Sequence, residues 1–224
     1  MPEGDTIHAA AVRLRPALVG QEILDLTGSH RQVSAHRSRL IGRYVSEITV
    51  HGKHLLIHTD REWTIRTHMG MTGRWVVYGS DDAWRTTPGK ARVVITTPTR
   101  VAVCFAAPHV EIGPTDRIVA GLARIGPDLI GEAPFAAIAR TAIGHNGPTV
   151  ADVLLDQGVA SGIGTVYTSE IRFLEGISPH APPSPMSPTA MEALFRRAAR
   201  QLTANVRPQR RTTTGSRRFG EEYW

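Results

Sequence analysis

Apolar residues change their spacing part-way along the chain. From about Val19 to Ile112, stretches such as "YVSEITVHGKHLLIHT", "WTIRTHMGMTGRWVVYG" and "ARVVITTPTRVAVCFAA" are rich in β-branched residues and bounded by Gly, Pro and Asp. This pattern predicts a run of antiparallel strands. Ahead of the strands, apolar residues at helical spacing predict a short helix that Asp5 caps and that ends or kinks at Pro16.

Helical spacing dominates the second half of the chain. "PTVADVLLDQ" and "TVYTSEIRFLEG" predict two helices joined by "GVASGIG". "TAMEALFRRAARQLTAN" predicts a third, opened by a capping box from Thr189 to Glu192. We therefore predict an α+β protein, with an N-terminal helix and an antiparallel β-sandwich in residues 1–131 and a helical domain in residues 132–224. The buried face of the third helix is predicted to hold Met191, Leu194, Phe195, Ala198 and Leu202.

The composition limits which binding partners and which cellular compartment fit this chain. With 41% hydrophobic and 21% charged residues, the 224-residue chain is globular. Its net charge of +6 points toward an anionic partner such as nucleic acid, but on charge alone a solvated basic face is the more common explanation. The single cysteine, Cys104, excludes an intrachain disulfide framework and a cysteine zinc site, and fits a reduced, cytoplasmic compartment. No apolar run approaches the roughly 20 residues that span a bilayer.

The N-terminal "MPEGDT" carries one candidate chemistry. Removal of Met1 would expose Pro2 as a secondary α-amine, and an α-amino group has a pKa near 8, so part of it is unprotonated at neutral pH. Such an amine can attack a sugar aldehyde carbon and form an iminium, and Glu3 can move protons beside it. From these residues alone, an idle polar terminus is the simpler interpretation.

Lysine is scarce in this chain. Only two of its 26 basic residues are lysines, Lys53 and Lys90. Arg suits phosphate contacts but stays protonated, so a lysine retained in the turn "HGKH" is a candidate for proton transfer or phosphate binding. The alternative is an exposed hairpin lysine. His51, His54 and His68 lie nearby and raise a metal hypothesis, but their spacing matches no common zinc motif, which favours structural or phosphate-contacting roles.

Two glycine-containing segments are further candidates. In "THMGMTGRW", a methionine at a loop tip can insert into a base stack, although methionines in strands are usually core residues. In "VASGIGTVY", Gly162 and Gly164 precede a helix, and amides at a helix start can bind phosphate. A simple helix-to-helix turn is the alternative.

Taken together, these segments resemble the formamidopyrimidine-DNA glycosylase / endonuclease VIII family. The matches run in order along the chain: "MPEG", "HGKHLL" at 51–56, "HMGMTGRW" at 68–75, "RIGPDL" at 124–129 and "LLDQGVASGIGTVYTSE" at 154–170. The resemblance implies a β-sandwich domain, a helical domain with a helix–two-turns–helix motif, and double-stranded DNA bound between them. It also implies removal of an oxidised base and cleavage at the resulting abasic site.

By the same resemblance, roles fall on particular residues. Pro2 would be the Schiff-base nucleophile, Glu3 the proton donor and acceptor, and Lys53 a group for proton transfer and phosphate binding. Met71 would fill the gap left by the everted nucleotide. The DNA-binding set would comprise His68, Gly70, Met71, Arg124, Gly162, Gly164 and Thr165.

The chain also departs from the family pattern. Thr165 stands where an asparagine is usual, and "HVE" at 109–111 replaces an Arg-Arg-Phe motif, which together with "PEGDT" favours oxidised pyrimidines over 8-oxoguanine. The family's four-cysteine zinc finger would begin near Trp224, where this sequence stops, so either the chain is cut short before the finger or the protein is a fingerless member. No zinc ion is expected in this chain, and if the finger is missing, lesion capture should be impaired. The basic tail, residues 207–224, is interpreted as the entry to a further element.

Three hypotheses follow from the sequence. The first is a monomeric, nucleoid-associated DNA glycosylase and abasic-site lyase without a cofactor or a membrane partner. The second is a non-catalytic or weakened binder of damaged DNA, and the third is a metal-dependent hydrolase that uses His51, His54 and His68.

Overall fold

The computed structural model describes residues 1–206 and 211–213. They form two compact units, residues 1–2 with 10–123 and residues 3–9 with 124–213, so the chain's first residues are shared between the units. The predicted boundary near residue 131 stays a prediction. Much of the predicted tail, residues 207–210 and 214–224, lies outside the described residues.

The first unit contains two four-stranded antiparallel sheets. One has the strand order β1-β6-β7-β5 and the other β2-β3-β4-β8. A buried bond from the Trp75 indole N–H to the Thr67 hydroxyl, 3.0 Å long, links them. The strands are β1 Asp25–Thr27, β2 Val45–His51, β3 His54–Thr59, β4 Trp63–His68, β5 Arg74–Gly79, β6 Ala91–Thr96, β7 Arg100–Phe105 and β8 His109–Pro114.

The predicted strands are confirmed, and most of their apolar residues are buried in these sheets. Two elements inside the predicted strand region are helical instead, a short 3-10 helix at Pro88–Lys90 and the α-helix α2 Arg31–Leu40. Its only buried residues are Val33 and Leu40, so its apolar signal is weak. The His30 side chain caps it by accepting from the Gln32 N–H. Helix α3, Thr115–Ala120, follows the sheets.

Helix α1, Gly4–Leu18, differs from the prediction at both ends. It continues two residues beyond Pro16, so the proline does not end it. Asp5 lies inside its first turn, whereas the Glu3 carbonyl accepts the N–H groups of Thr6 and Ile7 and so occupies the capping position. The carboxylate of Asp5 is thereby free to bond elsewhere in the fold.

The second unit contains four further helices around one apolar core that includes Tyr167 and Phe195. The three predicted helices are confirmed as α5 Val150–Leu155, α6 Thr165–Leu174 and α7 Pro188–Ala204, preceded by α4 Phe135–Ile143. The predicted buried face of α7 is confirmed residue by residue.

The predicted cap of α7 is wrong by two residues. Ser187 is the N-cap, its hydroxyl accepts the Ala190 N–H, and Pro188 takes the first helical position, which suits a residue without an N–H. Glu192 bonds to Arg196 instead. A true capping box opens α5, where Thr149 and Asp152 bond to each other's backbone.

Candidate active site

The carboxylate of Glu3 is held at the start of helix α6. Glu3 is completely buried, and its two oxygens accept the N–H groups of Gly164 at 2.6 Å and Val166 at 2.9 Å. Gly164 is the N-cap and supplies no side-chain bond, so Glu3 caps α6 from a distant part of the chain. Amides at a helix start carry partial positive charge, which stabilises an ionised carboxylate. The result is a negative charge fixed one residue after Pro2.

Glycines allow this approach. A Cβ on Gly164 would lie 2.5 Å from the Glu3 Cδ, far inside contact distance, so only glycine fits. Gly162 has a φ of +108°, and its carbonyl accepts the Gly4 N–H at 2.8 Å. The sequence hypothesis gave the amides at this turn to a phosphate, but those of Gly164 and Val166 are bonded to Glu3 in the folded chain.

Gln157 braces the same turn. Its side-chain NH₂ group donates to the carbonyls of Leu155 and Ile163 at 2.9 and 3.0 Å, and its Oε1 accepts the Gly162 N–H at 3.2 Å. Gln157 lies in the "LLDQ" segment but has no role among the residues predicted from the sequence. The available signal was an amide placed between an apolar helix and a glycine-rich turn.

Arg124 leads into a segment that pairs with this turn. The Gly126 N–H donates to the Gln157 carbonyl at 2.7 Å, and the Ser161 N–H donates to the Pro127 carbonyl at 2.8 Å. Arg124 itself is exposed, as is Thr165 at the first position of α6. The second unit therefore presents an exposed cation and an exposed hydroxyl beside a backbone framework that is otherwise buried.

Lys53 lies in the turn between β2 and β3. His51 pairs with His54 across the hairpin, which leaves Gly52 and Lys53 as the two turn residues. Gly52 has a φ of +59°, a value that hairpin turns of this length require at one or both central positions. The tight turn fixes the Lys53 backbone and leaves its side chain partly exposed at the end of the sheet.

Four histidines occupy neighbouring strand positions at this end of the sheet, a set called here the histidine row: His51, His54, His68 and His109. The rings of His54 and His68 are 4.9 Å apart, and those of His68 and His109 are 5.9 Å apart. Burial, with the charge of His68 next in importance, lowers the pKa of His54 to about 3. Burial also lowers the pKa of His68, and His109 adds to the effect. His54 and His68 are therefore mostly neutral at pH 7.

A cavity of about 610 Å³ borders the histidine row. Arg66 and Glu111 contribute to its lining and form an ion pair 2.6 Å long. Within residues 1–206 and 211–213, no group of three or more His, Cys, Asp or Glu side chains is arranged to hold a metal ion. The hypothesis of a metal-dependent hydrolase thus has no ligand set in this part of the chain.

The loop after β4 separates its two methionines. Met69 is 1% exposed and belongs to the core, whereas Met71 is 74% exposed. Gly70 has a φ of +57°, and a Cβ there would lie 2.7 Å from the Pro108 ring, so glycine is needed to form the loop. The His68 Nδ1 accepts the Gly70 N–H at 3.3 Å. Met71 thus projects an apolar side chain into solvent from a loop held by its neighbours.

The chain combines two antiparallel sheets, a helical unit with a glycine turn and a buried glutamate next to the N-terminus, and family models of DNA glycosylases match both of its units. Residues 1–109 match the formamidopyrimidine-DNA glycosylase N-terminal domain and residues 125–216 the formamidopyrimidine-DNA glycosylase H2TH domain. The chain belongs to the formamidopyrimidine-DNA glycosylase / endonuclease VIII family of bifunctional DNA glycosylases and abasic-site lyases.

The curated relatives of this chain include endonuclease VIII proteins. It is 36% identical over 217 residues to probable endonuclease 8 2 of Streptomyces coelicolor, which covers 95% of this chain and 78% of the relative. It is 33% identical over 227 residues to the DNA-(apurinic or apyrimidinic site) lyase Nei2 of Mycolicibacterium smegmatis, covering 100% of this chain and 86% of the relative.

Solved structures support the fold. A Lactococcus lactis formamidopyrimidine-DNA glycosylase bound to DNA containing an abasic site is similar with a TM-score of 0.80 at 16% identity, over 91% of this chain and 81% of that one. The same protein with DNA containing an oxidised pyrimidine gives a TM-score of 0.81 at 18% identity, over 92% and 80%. None of the helices described here is long and apolar enough to cross a membrane.

Proposed function

We propose that this chain removes oxidised bases, pyrimidines in preference to purines, from double-stranded DNA and cleaves the resulting abasic site through a Schiff base on Pro2. The observation that carries the proposal is the buried Glu3 carboxylate, bonded to two amides of α6 and covalently next to Pro2. Burying an acidic residue costs desolvation energy, and the two amide bonds that offset this cost also fix the carboxylate beside Pro2. Its fixed charge suits proton transfer at the reacting sugar.

The reaction starts once Met1 is removed, because the Pro2 nitrogen is otherwise an amide. The free secondary amine attacks the sugar C1′, the C1′–N bond to the base breaks, and the base departs with that electron pair and a proton. Opening of the C1′–O4′ bond, with a proton delivered to O4′, leaves an iminium between Pro2 and C1′. Glu3 exchanges protons with the sugar in these steps.

Strand cleavage follows from the iminium. Loss of a C2′ proton supplies electrons to the iminium, and the C3′–O3′ bond breaks to release the 3′ phosphate as leaving group. Water then hydrolyses the remaining iminium and frees Pro2. Lys53 serves here as proton-transfer group and phosphate contact, for which its partly exposed position in a two-residue turn is suitable.

Duplex binding rests on exposed groups. Met71 is exposed at a loop tip, which suits insertion into the gap left by an everted nucleotide. His68 and Gly70 hold that loop, and Arg124 and Thr165 are exposed beside the glycine turn formed around Gly162 and Gly164. Phosphate contacts of this kind position the duplex without reading its sequence.

The preference for pyrimidines rests on residues 109–111. There, Glu111 is committed to an ion pair with Arg66, and His109 belongs to the histidine row. The Arg-Arg-Phe motif that the purine-specific branch uses is replaced by these residues. The curated relatives named endonuclease 8 support the same assignment. Excision from matched duplexes carrying thymine glycol or 8-oxoguanine tests it, and faster release of 8-oxoguanine would reverse it.

Borohydride trapping on abasic-site DNA tests the chemistry. Intact mass first establishes whether Met1 is removed. The processed protein is then expected to give a covalent adduct, and protein that retains Met1, or that carries Pro2→Gly, is expected to give none. Lys53→Ala should slow strand cleavage, whereas the matched control Lys90→Ala, at the exposed second lysine, should not. A processed, DNA-binding protein that forms no adduct would make the chain a binder of damaged DNA instead.

A further inference from the structure

A buried carboxylate, phenol and guanidinium form a cluster in the second unit. Arg211 donates to both oxygens of Asp5, from Nε and from one terminal nitrogen, each at 2.7 Å. The Tyr167 hydroxyl donates to Asp5 at 3.0 Å, and the Arg211 guanidinium lies over the Tyr167 ring, 5.3 Å from its centroid. The same terminal nitrogen of Arg211 also donates to the Thr6 hydroxyl at 2.8 Å. Asp5, Tyr167 and Arg211 are called here the Asp5 cluster.

The Asp5 cluster is closed to solvent. Asp5 is 2% exposed, Tyr167 is completely buried, and the Arg211 side chain is 13% exposed. Burying two charges is favourable only when the geometry of the pair is good, and the bidentate bond supplies that geometry here. Burial, followed by the neighbouring Asp5, raises the pKa of Tyr167, so the phenol remains a donor over the whole working pH range.

The Asp5 cluster lies within one helical turn of the Glu3 carboxylate in both of the segments that it joins. Asp5 lies two residues after Glu3, and the Thr6 N–H donates to the Glu3 carbonyl at 2.9 Å. Tyr167 lies one residue after Val166, whose amide bonds to the Glu3 carboxylate. The cluster and the Glu3 carboxylate therefore join the same two segments, at positions within one helical turn of each other.

The segment that supplies Arg211 is itself anchored. The Asn205 side chain donates to the Thr212 carbonyl at 2.9 Å and accepts the Thr212 N–H at 3.0 Å. Asn205 is the C-cap of α7, so the end of that helix sets where Arg211 enters the cluster. Residues 211–213 thus lie against the N-terminal turn because both a backbone clamp and a buried ion pair hold them.

We infer that Asp5, Tyr167 and Arg211 are positioning residues for the N-terminal nucleophile, holding the turn that carries Glu3 and Pro2 against the start of α6. This inference rests on the proposed function. None of the three touches the reacting atoms. Their contribution is to keep the Glu3 carboxylate on its two amides, and Pro2 next to it, while the sugar is attacked. Arg211, which follows α7 in the chain, is therefore needed for full activity.

Single-turnover kinetics with processed protein and abasic-site DNA test the inference. Arg211→Ala should lower the cleavage rate constant by about 100-fold, the cost of a misplacement near 1 Å, and change the Kd for DNA by less than about threefold. Arg211→Lys keeps the charge but loses the bidentate bond, and should recover part of the rate. Arg140→Ala, at an exposed arginine of α4, is the matched control and should resemble the parent protein.

Two further variants test the same inference if Arg211→Ala fails to fold. Tyr167→Phe keeps the ring and removes only one bond, so it should fold and slow cleavage by about tenfold or less. The double variant Asp5→Asn with Arg211→Gln removes both buried charges, and should be more stable than either single variant while remaining slow. Circular dichroism during heating reports the folding of each protein.

The outcomes separate this inference from the proposed function. If the processed parent protein forms no borohydride adduct, the proposed function fails and the positioning role fails with it. If the parent forms the adduct and the folded variants cleave at its rate, only the positioning role is overturned. If Arg211→Ala instead raises the Kd, lowers the salt dependence of binding by about one phosphate contact and leaves the rate constant unchanged, Arg211 is a DNA contact.

Discussion

The two candidate regions of this protein hold their residues in different ways. Around Glu3, the second unit uses backbone amides, two glycines and a buried carboxylate, with little room for any other side chain. Around Lys53, the first unit uses a tight hairpin, partly exposed imidazoles and a cavity of about 610 Å³. The first arrangement fixes one charge in place. The second leaves space and exposed groups for a large ligand, so we expect mutations in the two regions to act on different quantities.

The largest effect is expected from Gly164→Ala. The added Cβ would lie 2.5 Å from the Glu3 Cδ, so Glu3 must leave its two amides or the turn must move. We expect cleavage of abasic-site DNA to fall by about 100-fold or more, measured under single-turnover conditions. Gly144→Ala is the matched control, because its Cβ would meet only ordinary contacts at 3.7 Å and beyond. Equal activity of both variants would contradict the fixed-carboxylate arrangement.

The second-largest effect is on the free energy of unfolding at acidic pH, and it comes from His54 in the histidine row. The pKa of His54 is lowered to about 3 in the folded protein, whereas in the unfolded chain it is near 6.5. Below pH 6.5 the unfolded state therefore binds a proton that the folded state does not, and His54 destabilises the fold as the pH falls from 6.5 toward 3. Between pH 6.5 and pH 5 this amounts to about 2 kcal/mol.

Urea unfolding at pH 6.5 and pH 5 measures this effect. His54→Leu should lose less stability over that interval than the parent protein, because the titrating group is gone. His180→Leu, at an exposed position of the second unit, provides the control for removing a histidine elsewhere. If the parent and His54→Leu respond equally to pH, the imidazole of His54 titrates normally in the folded state.

Local patterns in the sequence predict the elements of the fold well. The strands and the buried face of α7 follow from β-branched runs and from helical spacing, because each element buries its own apolar residues. Helix α2 escapes such prediction, since only Val33 and Leu40 anchor it and a histidine side chain caps it. The cap of α7 was misplaced because Ser187 with Pro188 competes with Thr189 within two residues.

The sequence predicts which residues form the candidate site, but it does not predict the hydrogen bonds between them. Pro2, Glu3 and Lys53 come from motif and residue chemistry. That Glu3 caps α6 does not, because 161 residues separate Glu3 from Gly164 and no local pattern encodes such a pairing. Asp5 shows the same limit. Its position favours a helix cap by local rules, and only the fold reveals that Arg211, 206 residues further along the chain, takes its carboxylate.

The smallest effect on stability, and a selective effect on DNA, is expected from the loop after β4. Met71 is 74% exposed, so Met71→Ala should change the free energy of unfolding by less than about 0.5 kcal/mol. Met69→Ala is the internal contrast, since Met69 is 1% exposed and its truncation should cost about 2 to 5 kcal/mol.

If Met71 fills the gap beside an everted nucleotide, Met71→Ala should slow base excision about tenfold. The everted state costs a few kcal/mol to form, and the variant removes the side chain that supports it. Cleavage of a preformed abasic site has less stacking to disrupt and should slow less. Paired excision and cleavage rates on one duplex measure that difference, and equal slowing of both reactions would assign Met71 to general DNA binding instead.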